Sequence, residues 1–141
     1  MSNPRVVKVG DALNGFSRHT DLDNWNRYAA VNDEFVPIHM DDQAGQDAGY
    51  PSAFGMGNLQ WAFIHNMLRD WLGLEGRIVS VACQFRGPNL RNTVVTAHGT
   101  ITAVRPTGSE TLIDLDVWTE TEGSGKVAVG TATVAVPGGA R

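Results

Sequence analysis

Leu59 to Leu72 runs without a glycine or proline, and its apolar residues fall on nearly every side of a helix: Leu59, Trp61, Ala62, Phe63, Ile64, Met67, Leu68, Trp71 and Leu72. Its only acidic or basic residues besides His65 are Arg69 and Asp70. A surface helix buries one stripe, whereas a helix apolar on most faces must be covered on most faces. The chain has 141 residues, the size of one domain. A domain of that length buries about 70% of its unfolded surface. With so little chain, a sheet wrapped around one central helix supplies the cover. Gly73 and Gly76 stop the helix.

The sheet is expected in the second half of the chain. Four stretches, 77–86, 93–104, 111–120 and 126–136, carry β-branched residues in partial alternation, as in Ile78/Val79/Val81 and Ile113/Leu115/Val117. Between them lie Gly87-Pro88-Asn89, Arg105-Pro106-Thr107-Gly108 and Glu122-Gly123-Ser124-Gly125, all with turn chemistry. Short links between successive strands favour antiparallel pairing. The expected class is therefore α+β: an antiparallel β-sheet around one long central α-helix. No internal repeat or linker interrupts it, so residues 1–141 read as one domain, with Pro137 to Arg141 a loose tail.

The first half is helical and irregular. Val6, Val7 and Val9 form a short β-type opening closed by Gly10 and Asp11. Thr20 reads as an N-cap, with Asp23 three residues on, close to a capping box. A helix over Asp21–Val31 would place Leu22, Trp25, Tyr28, Ala29 and Val31 on one stripe, ended by Asn32-Asp33. Pro37 prevents regular helix throughout Glu34 to Asp42. Asp41 to Asp47 suits a short helix that Gly49 ends.

Composition narrows the functional classes. Hydrophobic residues at 42% and charged residues at 18% describe a globular chain rather than a disordered one. A net charge of −4 argues against a broad nucleic-acid surface. Cys83 is the only cysteine, which precludes an intramolecular disulfide, argues against a cysteine zinc site and fits a reducing cytoplasm. Met1 to Gly10 mixes Pro4, Arg5 and Lys8 among its valines and does not read as a signal peptide. No apolar run approaches the roughly 18 residues of a membrane span.

Two features carry candidate chemistry. His39 comes after Pro37 in irregular backbone, beside Asp33, Glu34, Asp41 and Asp42. A histidine near a carboxylate there can work as a general acid/base, or simply sit in an acidic turn. Ser52-Ala53-Phe54-Gly55-Met56-Gly57-Asn58 leads directly into the long helix. Unpaired amides at a helix start can polarise a carbonyl, and glycine lets a substrate come close. Equally, the glycines can serve only to seat the helix in the sheet. The segment is no dinucleotide loop, because Gln60 stands where a third glycine is needed. His19 reads as a solvated loop residue, His98 as structural within a strand, and His65 as a buried, hydrogen-bonded residue of the helix. Trp61, Phe63, Met67 and Trp71 read as core.

Both features occur together, in this order, in one family. Tyr28-Ala29-Ala30-Val31-Asn32-Asp33-Glu34-Phe35-Val36-Pro37-Ile38-His39-Met40-Asp41 resembles the hydratase motif of the MaoC-like dehydratases, which runs Tyr-Ala-x-x-Ser-Gly-Asp-x-Asn-Pro-Ile-His-x-Asp. Ala53-Phe54-Gly55-Met56 resembles the family's Ala-His-Gly-Met, and Phe85-Arg86-Gly87-Pro88 its Phe-x-x-Pro. The resemblance implies the hotdog fold and (R)-specific hydration of 2-enoyl thioesters, or dehydration of 3-hydroxyacyl thioesters. Carried over by position, it implies Glu34 and His39 as the acid/base pair and the Gly55 backbone N–H as oxyanion donor. Asp33 is the alternative acid. Arg86, Arg91 and Met56 are candidate substrate contacts, the arginines for coenzyme A phosphates. No metal or other cofactor is implied; coenzyme A or acyl carrier protein carries the substrate. A homodimer or a partner of the same fold is expected, and neither nucleic acid nor membrane. Glu34 stands in place of aspartate, Val36 of asparagine, Asp33 of glycine and Phe54 of histidine. These departures leave open a catalytically impaired subunit of a heteromeric hydratase. Two further rivals are a hotdog thioesterase and a binding module for acyl thioesters without turnover.

Overall fold

A single helix, α3 (Gly57–Leu72), is the axis of the molecule in the computed structural model, which describes residues 6–138. Before it come β1 (Phe16–Thr20), α1 (Leu22–Asn32), a 3-10 turn at Pro37–His39, α2 (Asp42–Asp47) and the short β2 (Phe54–Gly55). After it come β3 (Arg77–Phe85), the short β4 (Asn89–Leu90), β5 (Thr93–Pro106), β6 (Glu110–Thr121) and β7 (Gly125–Pro137). Five strands form one sheet in the order β1-β5-β6-β7-β3, antiparallel throughout. β2 and β4 form a separate two-stranded ladder.

The sheet closes over α3 as the apolar helix demands. Leu59, Phe63, Ile64, Met67, Leu68 and Leu72 pack in one core with Val95, Ala97, Ile101, Ile113, Leu115, Val117, Ala132 and Val134. In β6 the inward set Ile113, Leu115, Val117 and Thr119 alternates with more exposed residues, as one buried sheet face requires. Each such large apolar side chain contributes about 1.5–3 kcal/mol by leaving water. One polar pair lies inside: the Thr119 hydroxyl donates to Gln60 Oε1 at 2.7 Å, both residues being buried. That satisfies two groups that would otherwise destabilise the core.

Several local expectations are corrected. Val6 to Val9 form no strand; instead the backbone of residues 10–13 bonds along residues 99–101 through Gly10, Asp11 and Leu13. The first true strand is β1, unforeseen because Ser17, Arg18 and His19 are all exposed on an edge and show no alternation. Thr20 is the buried end of β1, and Asp21 caps α1 in its place, with Asn24 completing the capping box. Val31 is 83% exposed rather than part of the α1 stripe, and Trp61 is 40% exposed rather than core. The tail is not loose from Pro137: that residue pairs with Glu110, and the Gly138 N–H donates to the Ser109 carbonyl. Residues 139–141 lie outside the described part of the chain, as do 1–5.

Candidate active site

His39 is delivered by a tight change of direction after α1. Asp33 ends that helix in the left-handed conformation, at φ 52°. The family motif has glycine at this position, and aspartate is among the few other residues that tolerate it. The Glu34 N–H then donates back to the Ala29 carbonyl at 2.9 Å. Pro37 opens the 3-10 turn, where its missing N–H costs nothing. The turn closes as the His39 N–H donates to the Val36 carbonyl at 3.0 Å.

The imidazole is held by the second motif. Its Nδ1 lies 2.7 Å from the Phe54 carbonyl oxygen. A carbonyl only accepts, so Nδ1 carries the proton, and in the neutral ring Nε2 presents its lone pair. The Phe54 ring stands edge-on to the imidazole, with centroids 5.4 Å apart. His39 is thus held by the segment that leads into α3. Neither Glu34 nor Asp33 makes a side-chain hydrogen bond or ion pair among the described residues, and both are exposed. No direct hydrogen bond joins Glu34 to His39 among the described residues.

Gly55 lies in β2, paired with Asn89 of β4, and is buried. A Cβ there would come within 2.6 Å of Trp25 Nε1 and 2.9 Å of Asn89 Nδ2. Glycine is therefore required by close approach rather than by an unusual φ. Those two nitrogens are buried and donate to no protein acceptor among the described residues. Met56 is buried at the N-cap of α3 and provides no side-chain cap, so the helix begins with amides that no capping side chain engages.

The candidate substrate contacts differ in their surroundings. Met56 adjoins the segment that holds His39. Arg86 is exposed and donates to Gln84 Oε1 at 3.0 Å. Arg91 spans two carboxylates: its Nε donates to Asp21 Oδ1 and its Nη1 to Asp42 Oδ2, both at 2.8 Å. The Arg91 hydrogen bond, with the Leu22 amide second, holds the Asp21 carboxyl below the usual carboxylate range. Asp42 Oδ1 in turn accepts the Ala53 N–H at 3.1 Å. In sequence Asp42 is only one acidic residue among several in that turn, and nothing there singles it out.

The other histidines make local contacts away from His39. His19 lies in β1, not a loop, and its Nε2 bonds Asn92 Oδ1 at 2.7 Å. His65, half-buried rather than buried, donates from Nδ1 to the Trp61 carbonyl at 2.8 Å. His98 stacks on Trp118 with centroids 5.3 Å apart. Burial pushes the Cys83 thiol up in pKa. Among the described residues no three His, Cys, Asp or Glu side chains gather where they could hold a metal ion, and no helix is long and apolar enough to cross a membrane. A groove of about 690 Å³ lies on the sheet, lined by residues that include Gln84, Thr100, Asp116, Trp118 and Lys126. It shares no residue with the His39 turn or with the Phe54–Gly57 segment.

Known proteins bear on the fold. No protein-family model and no curated protein matches the chain. Solved structures do. An (R)-hydratase from A. caviae involved in PHA biosynthesis superposes with a TM-score of 0.84 at 22% identity, over 93% of this chain and 98% of that one. The ChsH1–ChsH2 complex of Mycobacterium tuberculosis gives 0.82 at 21% identity, over 93% and 99%. The R-hydratase PhaJ1 from Pseudomonas aeruginosa gives 0.82 at 15% identity, over 93% and 83%. The fold is the α+β hotdog of the MaoC-like hydratases and dehydratases.

Proposed function

We propose that this chain is a lyase that adds water to 2-enoyl thioesters to give (R)-3-hydroxyacyl thioesters and catalyses the reverse dehydration. The observation that carries the reading is the His39–Phe54 hydrogen bond. It leaves the Nε2 lone pair as the ring's reactive position and ties that ring to the Gly55 segment at the start of α3. Glu34 and His39 would hold one water. One of them takes its proton as the oxygen bonds to C3 of the enoyl group, and C2 is protonated on the same face, so that the elements of one water are added. Negative charge develops on the thioester oxygen, where the Gly55 N–H would stabilise it. Acid/base positioning of this kind is worth about 10²–10⁴-fold, and one oxyanion donor about 3–4 kcal/mol. The left-handed Asp33 supports Glu34 as the acid, since Asp33 fills a backbone role that the motif gives to glycine.

The reading is tested by monitoring enoyl absorbance on a panel of enoyl-CoA and enoyl-acyl carrier protein thioesters. Hydration is expected. Release of free thiol with the enoyl absorbance unchanged would instead identify a thioesterase. A second reading has its own support: two-component assemblies share the fold, among them ChsH1–ChsH2 and the HadBC (3R)-hydroxyacyl-ACP dehydratase complex, both of Mycobacterium tuberculosis. With Glu34 and Val36 departing from the motif, this chain would then be the weaker half of such a pair. Activity seen only after a second hotdog chain is added would select that reading over a self-sufficient homodimer.

A further inference from the structure

Arg91 stands at a junction that the reaction itself does not explain. It comes directly after Leu90, the β4 residue paired with Phe54 of β2. Its guanidinium joins Asp21, which caps α1, to Asp42, which begins α2. Asp42 passes the restraint on, because its second oxygen holds the buried Ala53 amide at 3.1 Å. The Ala53 carbonyl accepts the Ser52 hydroxyl at 2.8 Å, and the carbonyl of the following residue, Phe54, holds His39 Nδ1. α2 has no slack against this segment, since a Cβ on Gly45 would come 1.9 Å from the Ser52 carbonyl oxygen. A planar guanidinium bridges two carboxylates at fixed angles, which a lysine ammonium cannot do.

We propose that Arg91 is a positioning residue: by clamping Asp42 onto the Ala53 amide it fixes the Phe54 carbonyl, and so sets the orientation and tautomer of His39. It is not a phosphate contact in this role, because both donor positions used are already engaged by carboxylates. The proposal rests on the hydratase reading only for its kinetic arm.

The test uses the full chain and Arg91→Met, Arg91→Lys and Asp42→Asn variants, with folding checked by circular dichroism. Nitrogen-15 NMR of the imidazoles reads the tautomers directly. The wild type is expected to show His39 with its proton on Nδ1. Arg91→Met and Arg91→Lys are expected to turn this into a mixture of tautomers, while His65 and His98 keep their signals. Should Arg91→Met fail to fold, Asp42→Asn carries the same comparison, since it leaves the Arg91–Asp21 pair in place. An unchanged His39 tautomer in the folded variants overturns the proposal. In the kinetic arm, kcat on an enoyl-CoA is expected to fall by about 10²-fold, as for a small misplacement of a reacting group, with KM little changed. A rise in KM with kcat preserved would instead make Arg91 a substrate contact and overturn the positioning role. A wild type that shows the Nδ1–H tautomer but hydrates nothing would defeat the hydratase reading and leave the positioning role to the NMR comparison.

Discussion

His39, Glu34 and Gly55 each supply a different kind of constraint. His39→Ala removes the Nε2 lone pair from a half-exposed turn without opening the core. Hydration should fall by about 10²–10⁴-fold with the circular dichroism spectrum unchanged; retention of most activity would remove His39 from the site. Glu34→Gln should damage turnover more than Asp33→Asn, because asparagine also accepts the left-handed backbone of residue 33. The reverse ranking would move the acid to Asp33. Gly55→Ala tests packing: its methyl would press on Trp25 Nε1 and Asn89 Nδ2. Overpacking of this kind typically costs about 1–3 kcal/mol, read as a lower urea midpoint.

Among the elements, α3 was the most legible, because a helix apolar on nearly all sides leaves few architectures open. Its start at Gly57 rather than Leu59 shows that glycine and asparagine can serve in a first turn that tertiary packing holds. The four long strands were legible from β-branched alternation to within one or two residues at each end. β1 was not, since an edge strand with one exposed face needs no apolar pattern. Ile64 is fully buried against the sheet. Ile64→Ala should therefore destabilise by about 2–5 kcal/mol in denaturant unfolding, whereas the same change at the exposed Val31 should be nearly neutral. Of the site, the motif residues could be read in order, but the links between them could not. The Phe54 carbonyl belongs to the backbone, and the Arg91–Asp42–Ala53 chain joins residues far apart in sequence.

For the molecule as a whole, two surface ion pairs are expected to contribute to acid stability. Asp21 is held below the usual carboxylate value by Arg91, and Asp114 likewise by Arg105 first and the Thr133 hydroxyl next. A carboxylate depressed in the folded state stabilises fully above its unfolded pKa of about 3.9 and loses that contribution as pH falls through the folded value. Tm should therefore hold between about pH 7 and 5 as far as these groups are concerned, and decline below about pH 4. Asp21→Asn keeps a capping side chain but not the charge, so its decline should be shallower in calorimetric scans. An identical decline in both proteins would mean that the Asp21–Arg91 pair adds nothing. Finally, β1 at residues 16–20 finds its partner only in β5, with Thr20 bonding Thr93 across 73 positions of chain. At roughly 5–20 residues per second of synthesis, a nascent chain waits about 4–15 seconds before the partner of its first strand is made. Through that interval Phe16 has neither β5 to pair with nor a finished sheet to lean on, and closing so long a loop is among the slower steps open to a small domain.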